Sequence, residues 1–258
     1  MDSENNTKIT RREFIDQAGK TATALLVFGS IPLNACSKGS VDMKYDTLIK
    51  GGTIYDGTFN KPFQADIGIK KDKIVDIGII EGRGSKIIDA TDLIVTPGFI
   101  DVHTHCDLTF KRMGKKRYLA YVMPSWKGNY NYMYQGVTTV VSGNCGYGYT
   151  DTEYWHSIVD SVKFGSNVLH LVPHGMIREE LFESNQPREL SQTQLGAMKK
   201  RLAEEMEKGA IGMSTGLEYS PGYYASTREL IELAKVVKQY GGIYTTHMRD
   251  ESGRTDGG

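Results

Sequence analysis

Short runs of alternating apolar and polar residues occupy the chain between residues 45 and 97. A period of two predicts β-strands that bury one face. Turns rich in Gly and Asp, and one Asn-Lys-Pro turn, separate the runs, which favours antiparallel pairing in a small β-sandwich. The predicted strands are residues 47–49, 52–55, 66–69, 73–77 and 86–89.

From residue 97 onward, apolar strands alternate with helical segments, which predicts parallel β/α units. Two helices carry a capping-box pair at their start and glycine at their end. The pairs are Ser191 with Gln194 and Ser226 with Glu229, and the stops are Gly209, Gly241 and Gly242.

The strand candidates of this region all end in residues with chemical function, such as His, Cys, Asn, Glu and Arg. In a β/α barrel the catalytic groups lie at the carboxyl ends of the strands, around one mouth. The pattern therefore predicts an α/β fold, a (β/α)8 TIM-type barrel of which about five units are present. The candidates are residues 98–103, 137–142, 168–172, 210–214 and 243–247.

The amino-acid composition of the chain excludes several classes of protein. The chain has 39% hydrophobic and 24% charged residues, which excludes a disordered or coiled-coil protein. Lys+Arg and Asp+Glu both total 31, so no net charge attracts nucleic acid. The 3 Cys are too few for a disulfide scaffold. The predicted domains are an export signal with its linker, residues 1–40, a small β-domain, residues 41–96, and an incomplete barrel, residues 97–258.

The N-terminal segment has the features of an export signal. Arg11 and Arg12 precede a weakly apolar run, residues 22–33, that is too short for a permanent membrane span. The arginine pair resembles a twin-arginine signal, and residues 33–36 resemble a lipobox in which Cys36 carries a lipid. A frayed N-terminal helix with an incidental arginine pair is the alternative. We expect a periplasmic protein whose only membrane contact is a lipid at Cys36.

His103 and His105 end the first barrel strand, and alternation along a strand predicts that both side chains point to one face. Two imidazoles so placed hold one metal ion, whereas two ordinary sheet histidines are the alternative. The segment Thr-Pro-Gly-Phe-Ile-Asp-Val-His-Thr-His, after a small β-domain, resembles the amidohydrolase superfamily.

Residues 135–141 and the Gly-Asn-Cys-Gly of residues 143–146 resemble the N-acyl-D-amino-acid deacylase (D-aminoacylase) branch of that superfamily. In that branch the cysteine is a metal ligand, and a thiolate is a soft ligand that suits zinc. A small buried apolar side chain is the alternative for Cys145. The segment 246–249 resembles the later histidine ligand of the branch. The resemblance implies one or two zinc ions held by His103, His105, Cys145 and His247.

Other residues near the predicted mouth receive different expectations. Tyr219 and Arg249 are predicted to bind substrate, with an exposed loop tyrosine as the alternative for Tyr219. His174 lies in a Pro-His-Gly motif. It either contacts a metal ligand without binding the metal itself or has a structural role, and we expect the structural role. His156 and His170 have no supporting pattern and are predicted not to be ligands.

The third cysteine, Cys106, should face the outer helices because it follows His105 in the alternating pattern. A disulfide between Cys106 and Cys145 is conceivable in an oxidising compartment. Folding in the reducing cytoplasm before export argues against it.

Two features depart from the branch. The loop over residues 111–134 is long and rich in Lys, Arg, Tyr and Trp, so it either shapes an unusual substrate pocket or forms a solvated basic surface. The branch's further histidine ligand and catalytic Asp belong to later strands, and neither is found before Gly258. We expect these residues to be the N-terminal part of a longer protein, and the part alone to be inactive.

The resemblance implies zinc-dependent hydrolysis of the amide bond of N-acyl-D-amino acids, which gives a carboxylate and a D-amino acid. The expected partner is therefore this small molecule. A cyclic-amide hydrolase of the dihydroorotase or hydantoinase kind is the nearest alternative, although such enzymes bridge two metals with a carboxylated lysine. A non-catalytic exported metal-binding or solute-binding lipoprotein is the alternative from another class.

Overall fold

The structure is a computed structural model that describes residues 45–113 and 129–252. The predicted export signal and most of the basic aromatic loop lie outside the described residues. The chain forms two compact units, which divide between Pro97 and Gly98. Among the described residues, no helix has the length and apolar character needed to cross a membrane.

The first unit contains one five-stranded sheet in the order β3-β2-β1-β4, with β5 also on β1. Pairing of β1 with β2 and of β2 with β3 is antiparallel, as predicted. The strands are β1 (Tyr45–Ile54), β2 (Phe63–Lys70), β3 (Lys73–Gly78), β4 (Gly84–Asp89) and β5 (Ile94–Val95).

Strands β4 and β5 pair with β1 in parallel, so the sheet is mixed rather than antiparallel throughout. Apolar alternation identifies strands but carries no information on their direction. After β3 the chain runs back along the sheet, from Ile80 beside Lys50 to Arg83 beside Tyr45. Ile80 is buried against Tyr45 and Leu48 on the way, which stabilises this crossing.

The second unit is built on five parallel strands in the order β10-β9-β8-β7-β6. The predicted fold class, a partial β/α barrel with a small β-sheet domain, is confirmed. The strands are β6 (Phe99–Asp101), β7 (Val137–Ser142), β8 (Asn167–Pro173), β9 (Gly212–Gly216) and β10 (Ile243–His247). The helices are α1 (Cys106–Met113), α2 (Tyr130–Met133), α3 (Thr152–Val162), α4 (His174–Phe182), α5 (Gln192–Glu207) and α6 (Thr227–Gln239).

The two predicted capping boxes differ in the structure. Helix α5 has the complete box, because the Ser191 hydroxyl accepts the Gln194 backbone N–H and the Gln194 side-chain oxygen accepts the Ser191 backbone N–H. At α6 the Ser226 hydroxyl accepts the Glu229 backbone N–H at 3.4 Å, as predicted. The Glu229 carboxylate, however, does not accept the Ser226 backbone N–H as a capping box requires. It contacts the buried side chains of His174 and Arg178 on α4 instead.

Two apolar clusters hold the helices on the parallel sheet. Removing each large side chain from water contributes about 1.5–3 kcal/mol. One cluster joins α4, α5 and α6 to the sheet and includes Val172, Ile177, Leu195, Met198, Leu202, Met213, Leu233 and Val237. The other joins α1 and α3 to the sheet and consists of Cys106, Phe110, Val140, Trp155, Ile158 and Val162.

Candidate metal centre

His103 and His105 lie just beyond strand β6, which ends at Asp101. The Asp101 carboxylate accepts the His103 backbone N–H at 3.1 Å and so turns the chain. Thr104 then rejoins the sheet, with its N–H and its hydroxyl both donating to the Val141 carbonyl, at 3.1 and 2.8 Å. Strand alternation therefore does not apply to this pair, contrary to our expectation. The two rings still converge, with centroids 5.5 Å apart.

Cys145 lies in a tight turn directly after β7, which we call the cysteine turn (residues 143–146). Gly143 adopts a φ of 77°, and Cys145 itself adopts a left-handed φ of 55°. A Cβ at Gly143 would stand 2.1 Å from the Leu171 carbonyl oxygen, so glycine is required for the turn to pack on β8. Ser214 of β9 holds both ends, since its hydroxyl donates to the Gly143 carbonyl and accepts the Gly146 N–H at 3.0 Å.

Asn144 connects the cysteine turn to the histidine segment. Its side-chain amide is buried and lies within reach of three carbonyl oxygens, those of Val141 at 3.0 Å, Val102 at 3.3 Å and Thr104 at 3.4 Å. Because Val102 and Thr104 flank His103, this amide sets the position of the histidine relative to the thiol.

His103, His105 and Cys145 each offer one donor atom, and these atoms all lie within 4.8 Å of one another. His103 Nε2 is 3.2 Å from Cys145 Sγ. Zinc binds sulfur at about 2.3 Å and nitrogen at about 2.0–2.1 Å, so two such ligands of a tetrahedral ion stand about 3.6 Å apart. The donor types and their spacing fit an ion of this kind.

The surroundings of the Cys145 side chain favour the neutral thiol over the thiolate. Burial raises the pKa of the thiol, and the negative charge of Glu251 raises it further. The thiolate is the ligating form, and a bound cation stabilises it. Without a cation the group is therefore a neutral thiol.

His247 ends strand β10 and lies beside the thiol, with Nδ1 3.8 Å from Cys145 Sγ. Its Nε2 is 2.7 Å from the Glu218 carboxylate and 3.2 Å from the Tyr219 hydroxyl. The separation of Nδ1 and Sγ also suits two ligands of one ion. The four predicted ligands thus meet around Cys145, and their binding of a metal stays a prediction.

The two predicted substrate-binding residues have different contacts. Tyr219 is 37% exposed beside His247, at a ring separation of 4.7 Å. Arg249 donates from its terminal nitrogens to the carbonyls of Tyr223 and Ala225, so it fastens the segment after β9. A substrate contact stays a prediction for both.

Only the ends of the basic aromatic loop are described. Burial lowers the pKa of Lys111, whose ammonium donates to the Gly148 carbonyl at 2.6 Å. The start of the loop is therefore tied to the backbone just beyond the cysteine turn. At the other end, Tyr130 and Tyr134 approach each other with ring centroids 6.4 Å apart.

His170 is fully buried and uses both ring nitrogens within the protein. Nε2–H donates to the Tyr149 carbonyl at 2.9 Å, and the Ser142 hydroxyl donates to Nδ1 at 2.9 Å. The Trp155 indole donates to that hydroxyl at 3.0 Å. Burial lowers the pKa of His170 to about 4, so the ring is neutral and has no nitrogen left for a metal. His156 lies on α3, outside the donor cluster.

His174 belongs to a buried ionic cluster that joins α4 to α6. Its Nε2 is 2.8 Å from one oxygen of Glu229, and Arg178 donates to the other oxygen and to the Pro187 carbonyl. Burial alone would raise the pKa of Glu229, but His174 and Arg178 outweigh it and lower the pKa. These contacts fit the structural role that we expected for His174.

Cys106 and Cys145 are both free thiols, so the alternative of a disulfide between them is wrong. Cys106 begins α1 and is packed among apolar side chains of α1, α3 and β7. Burial, with the nearby charge of Asp107, raises the pKa of Cys106 to about 12. It is an inert core residue.

Three residues that hold the centre together receive no role from sequence reasoning. Asn144 and Ser214 act through buried polar contacts. In the sequence, the feature that could have identified them is a polar residue next to a predicted ligand, for Asn144, or at the end of an apolar strand, for Ser214. Glu218 lies within a motif of the resembled branch, but its partner is 29 residues away in sequence. Such pairings depend on strand order, which the chain pattern does not specify.

No protein-family model matches the chain. The chain is 33% identical over 231 residues to the D-aminoacylase of Alcaligenes xylosoxydans xylosoxydans. The alignment covers 80% of this chain and 45% of that protein. It is 32% identical to the N-acyl-D-glutamate deacylase of the same organism, with 81% and 44% covered. The chain thus spans about 45% of the length of these relatives.

Solved structures give the same result. An N-acyl-D-glutamate deacylase from Bordetella bronchiseptica, complexed with zinc and a phosphonate that mimics the tetrahedral intermediate, matches with a TM-score of 0.69 and 33% identity, over 81% of this chain and 46% of that one. A D-aminoacylase that defines a novel subset of amidohydrolases matches with a TM-score of 0.68 and 29% identity, over 80% and 46%. Over the part that it spans, the chain is similar in sequence and in structure to the D-aminoacylase branch of the amidohydrolase superfamily.

Proposed function

We propose that the full-length protein is a zinc-dependent hydrolase that cleaves the amide bond of N-acyl-D-amino acids into a carboxylate and a D-amino acid. The observation that carries this proposal is the cluster of one thiol and three imidazoles at the carboxyl ends of parallel strands. The names of the relatives, D-aminoacylase and N-acyl-D-glutamate deacylase, support the substrate class.

The residues of this chain have distinct tasks in the proposed site. His103, His105, Cys145 and His247 would hold one or two zinc ions. When bound, zinc supplies polarisation of the amide carbonyl and lowers the pKa of water toward about 7. Asn144 and Ser214 fix the backbone that carries the ligands, which keeps the donors in place without rearrangement.

Zinc content tests the assignment of Cys145. We expect Cys145→Ala to lose most of its zinc and its hydrolysis of N-acetyl-D-amino acids, because the shared donor of the cluster is gone. His156→Ala is the matched control, since His156 is a half-buried histidine outside the cluster, and it should keep its zinc. Equal zinc content in the two purified full-length variants, measured by elemental analysis, would contradict the assignment.

We propose in addition that the protein is exported through a twin-arginine signal and is anchored by a lipid at Cys36. The support is the order of Arg11 and Arg12, a short apolar run and Cys36. This route carries folded proteins, which suits a protein that binds its metal before it leaves the cytoplasm.

A further inference from the structure

Glu218 follows strand β9 and has no role in the proposed hydrolysis. Its carboxylate oxygen lies 2.7 Å from His247 Nε2. The backbone also joins the two segments, because the Leu217 N–H donates to the His247 carbonyl at 2.9 Å. The contact between Glu218 and His247 is therefore supported by the ladder that pairs β9 with β10.

The hydrogen bond decides which nitrogen of His247 carries the proton. A carboxylate only accepts, so Nε2 must be the donor. In the neutral ring Nδ1 is then the nitrogen with a free lone pair, and it is the one that lies 3.8 Å from Cys145 Sγ. The ring thus presents its acceptor nitrogen to the thiol and its donor nitrogen to the carboxylate.

The neighbours of Glu218 reinforce this arrangement. The Tyr219 hydroxyl is 3.2 Å from Nε2, and because that nitrogen already carries a proton, the phenol cannot donate to it. The second carboxylate near the ring, that of Glu251, is 3.5 Å from Nε2. The 2.7 Å contact therefore makes Glu218 the acceptor that orients the imidazole.

We propose that Glu218 is a positioning residue of the metal centre: it accepts the Nε2–H of His247, fixes the tautomer with a bare Nδ1, and directs that nitrogen toward the ion beside Cys145. The proposal rests on the proposed zinc site. Histidine ligands commonly donate their second ring N–H to a carboxylate, and loss of such a partner weakens metal binding by about 10- to 100-fold.

The test measures zinc affinity in the full-length protein by competition with a chromophoric chelator. We expect Glu218→Ala to bind zinc about 10- to 100-fold more weakly. Glu218→Gln should recover most of the affinity, because its amide oxygen still accepts the Nε2–H. Glu153→Gln is the matched control and should bind zinc like the wild type, since Glu153 is an exposed glutamate of α3 outside the donor cluster.

The cobalt(II) form separates this proposal from the proposed function. A thiolate-to-cobalt charge-transfer band should appear in the wild type and persist in Glu218→Ala, because Cys145 is unchanged. Unaltered zinc affinity in Glu218→Ala, or an equal loss in Glu153→Gln, would overturn the positioning role and leave the zinc site standing. Absence of the band in the wild type would overturn the zinc site itself. If metal-free Glu218→Ala unfolds at a markedly lower temperature than the metal-free wild type, the weaker zinc binding has a merely structural cause. That outcome would also overturn the positioning role.

Discussion

His170 is an ionisable side chain that the fold keeps neutral. Its two nitrogens are bonded to Tyr149 and Ser142, and burial lowers its pKa to about 4. The unfolded chain binds a proton at its ordinary pKa of about 6.5, so the folded state binds fewer protons between these values. The stability that His170 contributes is therefore fully present above about pH 6.5 and is lost as the pH falls toward 4.

Replacement of this residue should change the pH dependence of stability. A shift of this size corresponds to about 3 kcal/mol. We expect His170→Gln to be destabilised at pH 7.5, and its deficit relative to the wild type to shrink by about 3 kcal/mol at pH 4, because Gln does not titrate. Urea unfolding at the two pH values measures this. His156→Gln should show a smaller change, because His156 is only partly buried; a pH-independent deficit in His170→Gln would contradict the argument.

At the scale of elements, strands with a strong apolar pattern were predictable and their ends were not. The bounds of β7 and β10 agree with the predicted residues 137–142 and 243–247. Strand β6 ends early because the Asp101 side chain captures the His103 N–H. Strand β9 begins two residues later than expected. Side-chain capture of this kind is local chemistry that hydrophobic periodicity does not report.

The cysteine turn gives a prediction for an element as a whole. Gly143→Ala combines a φ of 77° with a Cβ only 2.1 Å from the Leu171 carbonyl oxygen. We expect a loss of more than about 1 kcal/mol in the free energy of unfolding, because the backbone conformation does not suit alanine. Zinc binding should fall with it, since the turn carries Cys145.

Gly196 is the matched control for this substitution. It lies in the middle of α5, and an added Cβ would meet no atom within 4 Å. Gly196→Ala should therefore raise the free energy of unfolding by about 0.5–1 kcal/mol, through the better helix propensity of alanine. Urea melts of the two variants should move in opposite directions, and a shared direction would contradict the assignment of strain to the turn.

At the scale of the whole molecule, the resemblance to relatives indicated the ligand types, and the strand order assembles them. The donors come from the segments that follow β6 and β7 and from the end of β10. Asn144 and Glu218, which orient these donors, were not predictable because they contact segments that are 29 to 42 residues away in the sequence. The chemical type of a side chain identifies a metal ligand in the sequence. A residue that orients a ligand is identified only by its contacts in the folded structure.

Export of the whole protein gives a separate prediction. Replacing Arg11 and Arg12 together by Lys should leave the precursor in the cytoplasm, because the pathway recognises the guanidinium pair rather than positive charge. Lys8→Arg keeps the pair and should be exported normally. Cell fractionation and N-terminal analysis measure the outcome; periplasmic delivery of the Lys–Lys variant, or a mature N-terminus away from Cys36, would contradict the proposed signal.

The spacing of the ligands along the chain has a consequence for synthesis. Cys145 follows His103 by 42 residues and precedes His247 by 102. At roughly 5–20 residues per second, His247 leaves the ribosome roughly 5–20 s after Cys145. For that time the thiol lacks one of its partners, although helices and turns form in microseconds. Each newly made chain therefore passes through a stage in which the Cys145 thiol is open to oxidation. A reducing compartment during translation protects the thiol at that stage.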